Sequence, residues 1–151
     1  MQHEIVEKLI SIHKKYRLNE GDVSTHTRSA QKITREWQQQ VVNNETIRGE
    51  VSVSDVNNEK FDLVDFSNLT AYELKVSGKN PHHEFYKDLL KVLTYNCNHS
   101  DKIIRLVFIS EEDGIKKLEK RIDPRLQKLF ADVHNITFEL VSLKNQKSKD
   151  C

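Results

Sequence analysis

Three side chains in the segment FDLVDFSNLTAYELKVS, residues 61–77, are of types that do chemistry together: Asp62, Glu73 and Lys75. Side chains alternate along a β-strand, so Glu73 and Lys75 share a face if residues 71–77 are extended. With residues 67–70 as the turn of a hairpin, Phe66 pairs with Ala71, Val64 with Glu73 and Asp62 with Lys75. Opposed residues also share a face. Asp62 then lies diagonal to Glu73, at roughly 5–8 Å between Cβ atoms. Two carboxylates at that separation can hold one divalent cation between them, with a lysine alongside.

The neighbours of these residues sharpen the expectation. Phe61, Leu63, Tyr72, Leu74 and Val76 form one apolar face of the hairpin, and Val64, Phe66 and Ala71 the other. A hairpin covered on both sides should not carry two acids and a lysine without compensation. One compensation is a buried ion pair of Lys75 with either acid, although such pairs seldom add net stability. The other is catalysis. Hard oxygen ligands with room for water and phosphate select Mg²⁺ or Mn²⁺, and the chemistry this suits is metal-assisted phosphodiester hydrolysis. Lys75 would orient and activate the attacking water, or offset charge on the pentavalent transition state.

Asp62, ten intervening residues and then Glu73-Leu74-Lys75 resembles the D-(x)n-E-x-K signature of the PD-(D/E)XK, or restriction-endonuclease-like, nuclease superfamily. The apolar frames FDLVDF and AYELKVS match that pattern too; Phe61 stands where the motif's proline would be. The resemblance implies that Asp62 and Glu73 bind the metal, Mg²⁺ or Mn²⁺, and that Lys75 supports the nucleophile. It also implies a further acid from the helix before the hairpin, a position that Glu36 fits, one turn from Ile33 and Gln40. A solvated helix charge is the plainer reading of Glu36. Glu50, near the start of the first strand, ranks below it. Asp65 alternates to the face opposite Asp62 and reads as a structural or surface acid.

The segment GKNPHHE, residues 78–84, follows the hairpin directly. Lys79, His82 and His83 fall at a helix N-terminus, where anions are welcome, and could hold a substrate phosphate. The plainer reading of the two histidines is an exposed first turn. A zinc site from His82, His83 and Glu84 is disfavoured because adjacent helical residues point in different directions. Trp37 and Tyr86 read as core or helix-packing residues rather than base-stacking platforms.

The elements that must position these residues follow from periodicity and punctuation. Apolar residues at helical spacing predict helices over Glu4 to Leu18 and Ser29 to Val42, joined by the loop-like NEGDVSTHT. Strands are expected at Ile47 to Ser54, Phe61 to Phe66 and Ala71 to Ser77, with Gly78 as a break. Asn80-Pro81 reads as an N-cap followed by proline at the first position of a helix running to about Tyr95. Ile103 to Ile109 is an almost continuous apolar run, the mark of a central strand covered on both faces. Ser110 and Asp113 have capping-box-like spacing for the next helix, which restarts at Asp123-Pro124, and Ile136 to Leu143 is the last strand. The fold class expected is α/β: a restriction-endonuclease-like core with a central mixed sheet of about five strands flanked by helices.

The chain has 151 residues, which fits one nuclease domain: an N-terminal helix and loop over 1–27, a catalytic core over 28–143 and a flexible tail over 144–151. Charged residues make up 31%, but 36% are hydrophobic and fall in periodic groups, which argues for a fold rather than disorder. A net charge of +1 argues against a non-specific coat protein for nucleic acid. Two cysteines, Cys97 and Cys151, make neither a disulfide framework nor a zinc pattern. No apolar stretch has the length of a transmembrane span or the form of a signal peptide, so the expectation is a cytoplasmic protein with no membrane partner. The expected function is endonucleolytic cleavage of DNA, as in a small restriction or phage-defence enzyme acting as a homodimer or as a subunit of a larger system. An RNA-cleaving toxin or effector of the same fold is the alternative, and a non-catalytic nucleic-acid-binding module the third.

Overall fold

Apolar residues at helical spacing build two helices before any strand: α1 (Gln2–Leu18) and α2 (His26–Val41). Ile5, Leu9 and Ile12 of α1 meet Ile33, Trp37 and Val41 of α2, and the Trp37 indole donates to the Ile5 carbonyl at 2.9 Å. A meander follows, β1 (Ile47–Ser52), β2 (Lys60–Asp65) and β3 (Thr70–Lys75); then α3 (Pro81–Asn98), β4 (Arg105–Glu111), α4 (Glu112–Arg121), α5 (Pro124–His134) and β5 (Thr137–Leu143). The structure is a computed structural model that describes residues 2–18, 26–76 and 80–144. The predicted break at Gly78, most of the predicted loop over 19–27 and most of the tail lie outside the described residues. Within them, no helix is long and apolar enough to cross a membrane.

The five strands form one open mixed sheet in sequence order. β1, β2 and β3 are antiparallel neighbours, and β3, β4 and β5 are parallel. The two parallel connections carry α3 and the α4–α5 pair, and both put their helices on one face. There Phe85, Leu89, Val92, Ile115, Leu118 and Phe130 cover Val64, Ala71, Leu106 and Phe108. The other face, with Leu63, Tyr72, Leu74, Val107 and Ile109, lies under α1 and α2. β4 is thus covered on both sides, which is why its sequence reads as a continuous apolar run. The fold is α/β, a five-stranded mixed sheet between two helical layers.

Three local expectations give way to the structure. The β2–β3 turn occupies residues 66–69, with Asp65 paired to Thr70, Val64 to Ala71 and Leu63 to Tyr72. The register is therefore two residues from the expected one, in which Val64 met Glu73. Asp65 sets it: buried at the foot of the turn, its carboxylate accepts from the Ser67 amide and hydroxyl and from the Asn68 side chain. A two-residue shift preserves face parity, and one pair beyond Leu63–Tyr72 it sets Asp62 directly opposite Glu73.

The second change is at Phe61, which packs against Tyr95 of α3 rather than sharing the face of Leu63 and Tyr72. Glu50, the β1 residue across from Asp62, has φ 51°, a left-handed conformation inside a strand. It breaks the two-residue alternation: Ile47 faces α1 and α2, whereas Val51 and Val53 join Phe61 under α3. Ser110, expected as a helix cap, is the penultimate residue of β4 and its hydroxyl donates to the Lys75 carbonyl at 2.7 Å. The parallel register aligns Ser110 with Lys75, so its hydroxyl serves the sheet and not α4.

Candidate active site

Asp62 and Glu73 face each other where the β2–β3 hairpin opens. Paired residues end at Leu63–Tyr72, and beyond them the two carboxylates take over the work of ladder acceptors. Asp62 Oδ2 accepts the Leu74 amide at 2.8 Å, and Glu73 Oε1 accepts the Asp62 amide at 3.3 Å. Each acid is thereby fixed by the backbone of the strand opposite. On the outer side, the Gln38 amide of α2 donates to the Asp62 carbonyl at 2.9 Å and to Glu50 Oε1 at 3.1 Å.

Lys75 joins them as the alternation of β3 requires. Its Nζ lies 3.6 Å from Glu73 Oε2 and 3.5 Å from Oε2 of Glu84, in the first turn of α3. The predicted trio is therefore brought together. Glu36 is not brought to it: α2 covers the opposite face of the sheet, and both Glu36 oxygens accept from Lys15 of α1. The His82 and His83 rings meet at a tilt of 55°, 4.1 Å between ring centres, with the guanidinium of Arg121 3.5 Å from His82 Nε2. Partial desolvation, and then the neighbouring His83 and Arg121, hold His82 below its ordinary pKa. At neutral pH it is an uncharged imidazole, a weak partner for phosphate. Lys79 lies outside the described residues. Asn80 does sit at the N-cap of α3, with Pro81 behind it, but in a left-handed conformation (φ 54°) with no side-chain cap bond.

Two residues that sequence reasoning passed over complete the centre. Lys91 of α3 donates to Glu73 Oε1 at 2.7 Å, and both groups are buried, at 5% and 1% exposure. The Lys91 ammonium also stands 5.3 Å from the centre of the Phe61 ring. Asp88, one turn earlier and fully buried, has Oδ1 3.2 Å from that ammonium, an ion pair without hydrogen-bond geometry. A signal existed: Pro81, Phe85, Asp88, Val92 and Tyr95 fall on one helical stripe, so a carboxylate stands where an apolar residue is expected.

Burial and mutual repulsion set the charge states. Burial, and after it the charge of Glu73, pushes the Asp62 carboxyl up to about 8, against the pull of the Leu74 amide, Lys75 and Lys91. Burial and Glu73 likewise raise Asp88 to about 7. For the lysines burial works the other way but loses: Asp88, Glu73, Asp62 and Glu84 hold the Lys75 ammonium above its ordinary value, and Glu73 and Asp88 do the same for Lys91. Lys75 is thus a permanent cation, with 27% of its side chain open to solvent.

Two carboxylates, each with one oxygen outside these hydrogen bonds, are a donor set that fits a hard divalent cation, the kind that keeps waters and shares its shell with phosphate. Among the described residues, no three His, Cys, Asp or Glu side chains are grouped to enclose a metal on their own. Beside the hairpin, a shallow cleft of about 520 Å³ is lined by Arg35, Gln38, Gln39, Asn44, Arg48 and Glu50 among others. It adjoins the strand of Asp62 through Gln38. No family model matches this chain, and no curated protein and no solved structure matches it either.

Proposed function

We propose that this chain is a metal-dependent nuclease with a restriction-endonuclease-like core, acting on DNA in preference to RNA, with Asp62, Glu73 and Lys75 as its active residues. The observation that carries the reading is the convergence of Asp62 and Glu73 at the open end of one hairpin with Lys75 beside them. The order of elements supports it: a helix, an antiparallel meander, and then a helix leading into a parallel strand. Asp62 and Glu73 would hold Mg²⁺ or Mn²⁺, which when bound polarises a phosphodiester and makes water a better nucleophile. The chain's own part is positioning and charge. The Leu74 and Asp62 amides aim the carboxylates, and Lys75, being fully protonated, is suited to neutralise charge on the phosphorane-like transition state rather than to accept a proton.

The direct test is incubation of the purified protein with plasmid, single-stranded DNA and RNA, in Mg²⁺ and in EDTA. Cleavage in Mg²⁺ alone is expected; no cleavage of any substrate would remove the reading. In calorimetric titrations, Asp62→Ala and Glu73→Ala are each expected to weaken Mn²⁺ binding by about tenfold or more, because each removes a ligand and part of the local negative field. Unchanged affinity in both variants would place the ion elsewhere.

The cleft beside the hairpin supplies two guanidinium groups, Arg35 and Arg48, of a kind suited to phosphate. Replacing both by Ala is expected to lower affinity for a labelled oligonucleotide about tenfold in EDTA and to flatten the salt dependence by about two counterions. Fluorescence anisotropy across a salt series checks it, and an unchanged slope would take the strand off this path.

A second reading has its own observation. The shortest ion pair in the centre is Lys91 with Glu73, both buried, and such a pair could serve only to fix α3 on the sheet of a non-catalytic binding module. It differs in its consequence for Lys75, which that reading leaves idle.

A further inference from the structure

The centre holds four carboxyl groups, Asp62, Glu73, Glu84 and Asp88, against two ammonium groups, Lys75 and Lys91. The two lysines are not alike. Lys75 reaches its partners from the solvent side at 3.5–3.6 Å, whereas Lys91 enters from within the core on a closed contact of 2.7 Å. Glu73 is the one carboxylate that Lys91 shares with the proposed metal site. Behind Lys91 stands Asp88, with no hydrogen bond to either oxygen, and above it the ring of Phe61. This is a cage for a cation made of two carboxylates and an aromatic face, and α3 fills it with its own side chain.

We infer that Lys91 is a resident counter-cation of the metal centre: its ammonium occupies Glu73 in the absence of metal and keeps the affinity of Asp62 and Glu73 for a divalent ion low. The inference rests on the nuclease reading for the identity of the ion, but the contact itself does not. A like charge held on a shared ligand opposes a second cation, and in a partly dehydrated centre that opposition is large. The phosphates of a nucleic acid bring the missing negative charge, so the ion is retained best together with its substrate. Lys91 therefore biases the centre towards loading on the nucleic acid rather than ahead of it.

The test is titration of Mn²⁺, without nucleic acid, into the wild type, Lys91→Gln and Lys91→Met, with Asp62→Asn to mark the site. Lys91→Gln keeps a donor for Glu73 and removes only the charge. It is expected to bind Mn²⁺ at least about tenfold more tightly than the wild type, and binding by Lys91→Gln where the wild type shows none supports the inference equally. Equal or weaker binding by a folded Lys91→Gln, in a protein whose Mn²⁺ site is lost in Asp62→Asn, would overturn the inference and leave the nuclease reading standing. No Mn²⁺ binding in any folded variant would overturn both. If neither variant folds in EDTA, circular dichroism with Mn²⁺ decides. Recovery of the fold shows the ion taking the place of the ammonium, and failure to recover shows that it cannot.

Discussion

Lys75→Ala is expected to lower the cleavage rate by about 10²–10³-fold while affinities for divalent ion and nucleic acid change little. The expectation follows from how Lys75 is held. Its ammonium is kept charged by four surrounding carboxyls, yet its own contacts are long and part of it faces solvent. A cation so placed makes little ground-state binding energy and gains most when negative charge develops nearby. Its loss should not collapse the core, because Glu73 keeps Lys91 at 2.7 Å. Melting temperature should therefore fall by only a few degrees, with or without Mg²⁺. If Lys75 were instead the buried structural partner of the acids, its removal would cost roughly 3–5 kcal/mol whether or not metal is present. Single-turnover cleavage measured beside thermal denaturation separates the two. A stable variant that cleaves at the wild-type rate would strip Lys75 of its role.

The second large effect concerns pH. In EDTA the protein is expected to lose stability as pH rises from 5 to 8, and Asp62→Asn is expected to remove much of that loss. The sign follows from the proton count. Asp62 and Asp88 are raised from an ordinary 3.8 to about 8 and about 7 in the folded chain. Between those limits the folded state binds protons that the unfolded state has released, so each unit of rising pH favours unfolding. The stability these groups contribute is complete below about pH 4 and gone above their folded values. For one such proton the change across pH 5–8 is on the order of 3 kcal/mol, or roughly 6–12 °C in a chain of this size. Saturating Mg²⁺ should flatten the slope, since a bound cation favours the ionised acids. The quantity to measure is the difference in melting temperature between wild type and Asp62→Asn at each pH, which cancels groups elsewhere. A difference that does not vary with pH would show Asp62 to be ionised in the folded metal-free protein.

Much of the framework was legible because it is written in strong periodicities. The apolar run of β4, the helical stripes of α1 and α2 and the Asp123-Pro124 start of α5 all correspond to elements within three residues at either end. The shared face of Asp62, Glu73 and Lys75 was legible for a subtler reason: parity survives a register error of two. What the chain does not announce are preferences set by single side chains and backbone angles. The grip of Asp65 on its turn decided the register, and left-handed Glu50 moved Phe61 to the other layer. Lys91 and Asp88 escaped because a charged residue on a helix reads by default as solvated, and only the tertiary contact with Glu73 reverses that reading.

The hairpin also has equal arms. Asp62 lies three residues before Asp65 and Glu73 three after Thr70, and Asp65–Thr70 is the pair that closes the turn. Residues added to or taken from the turn leave every pair on the arms unchanged, so the interval between the two acids is a property of the turn alone. One residue gained on a single arm would instead send its carboxylate through the sheet to the side of α1 and α2. The gap in a pattern of the form D-(x)n-E-x-K can therefore vary freely, provided that the arms do not. Chains built on the same centre are better sought by two arms of matched length, each ending on an acid, than by any fixed spacing between the acids.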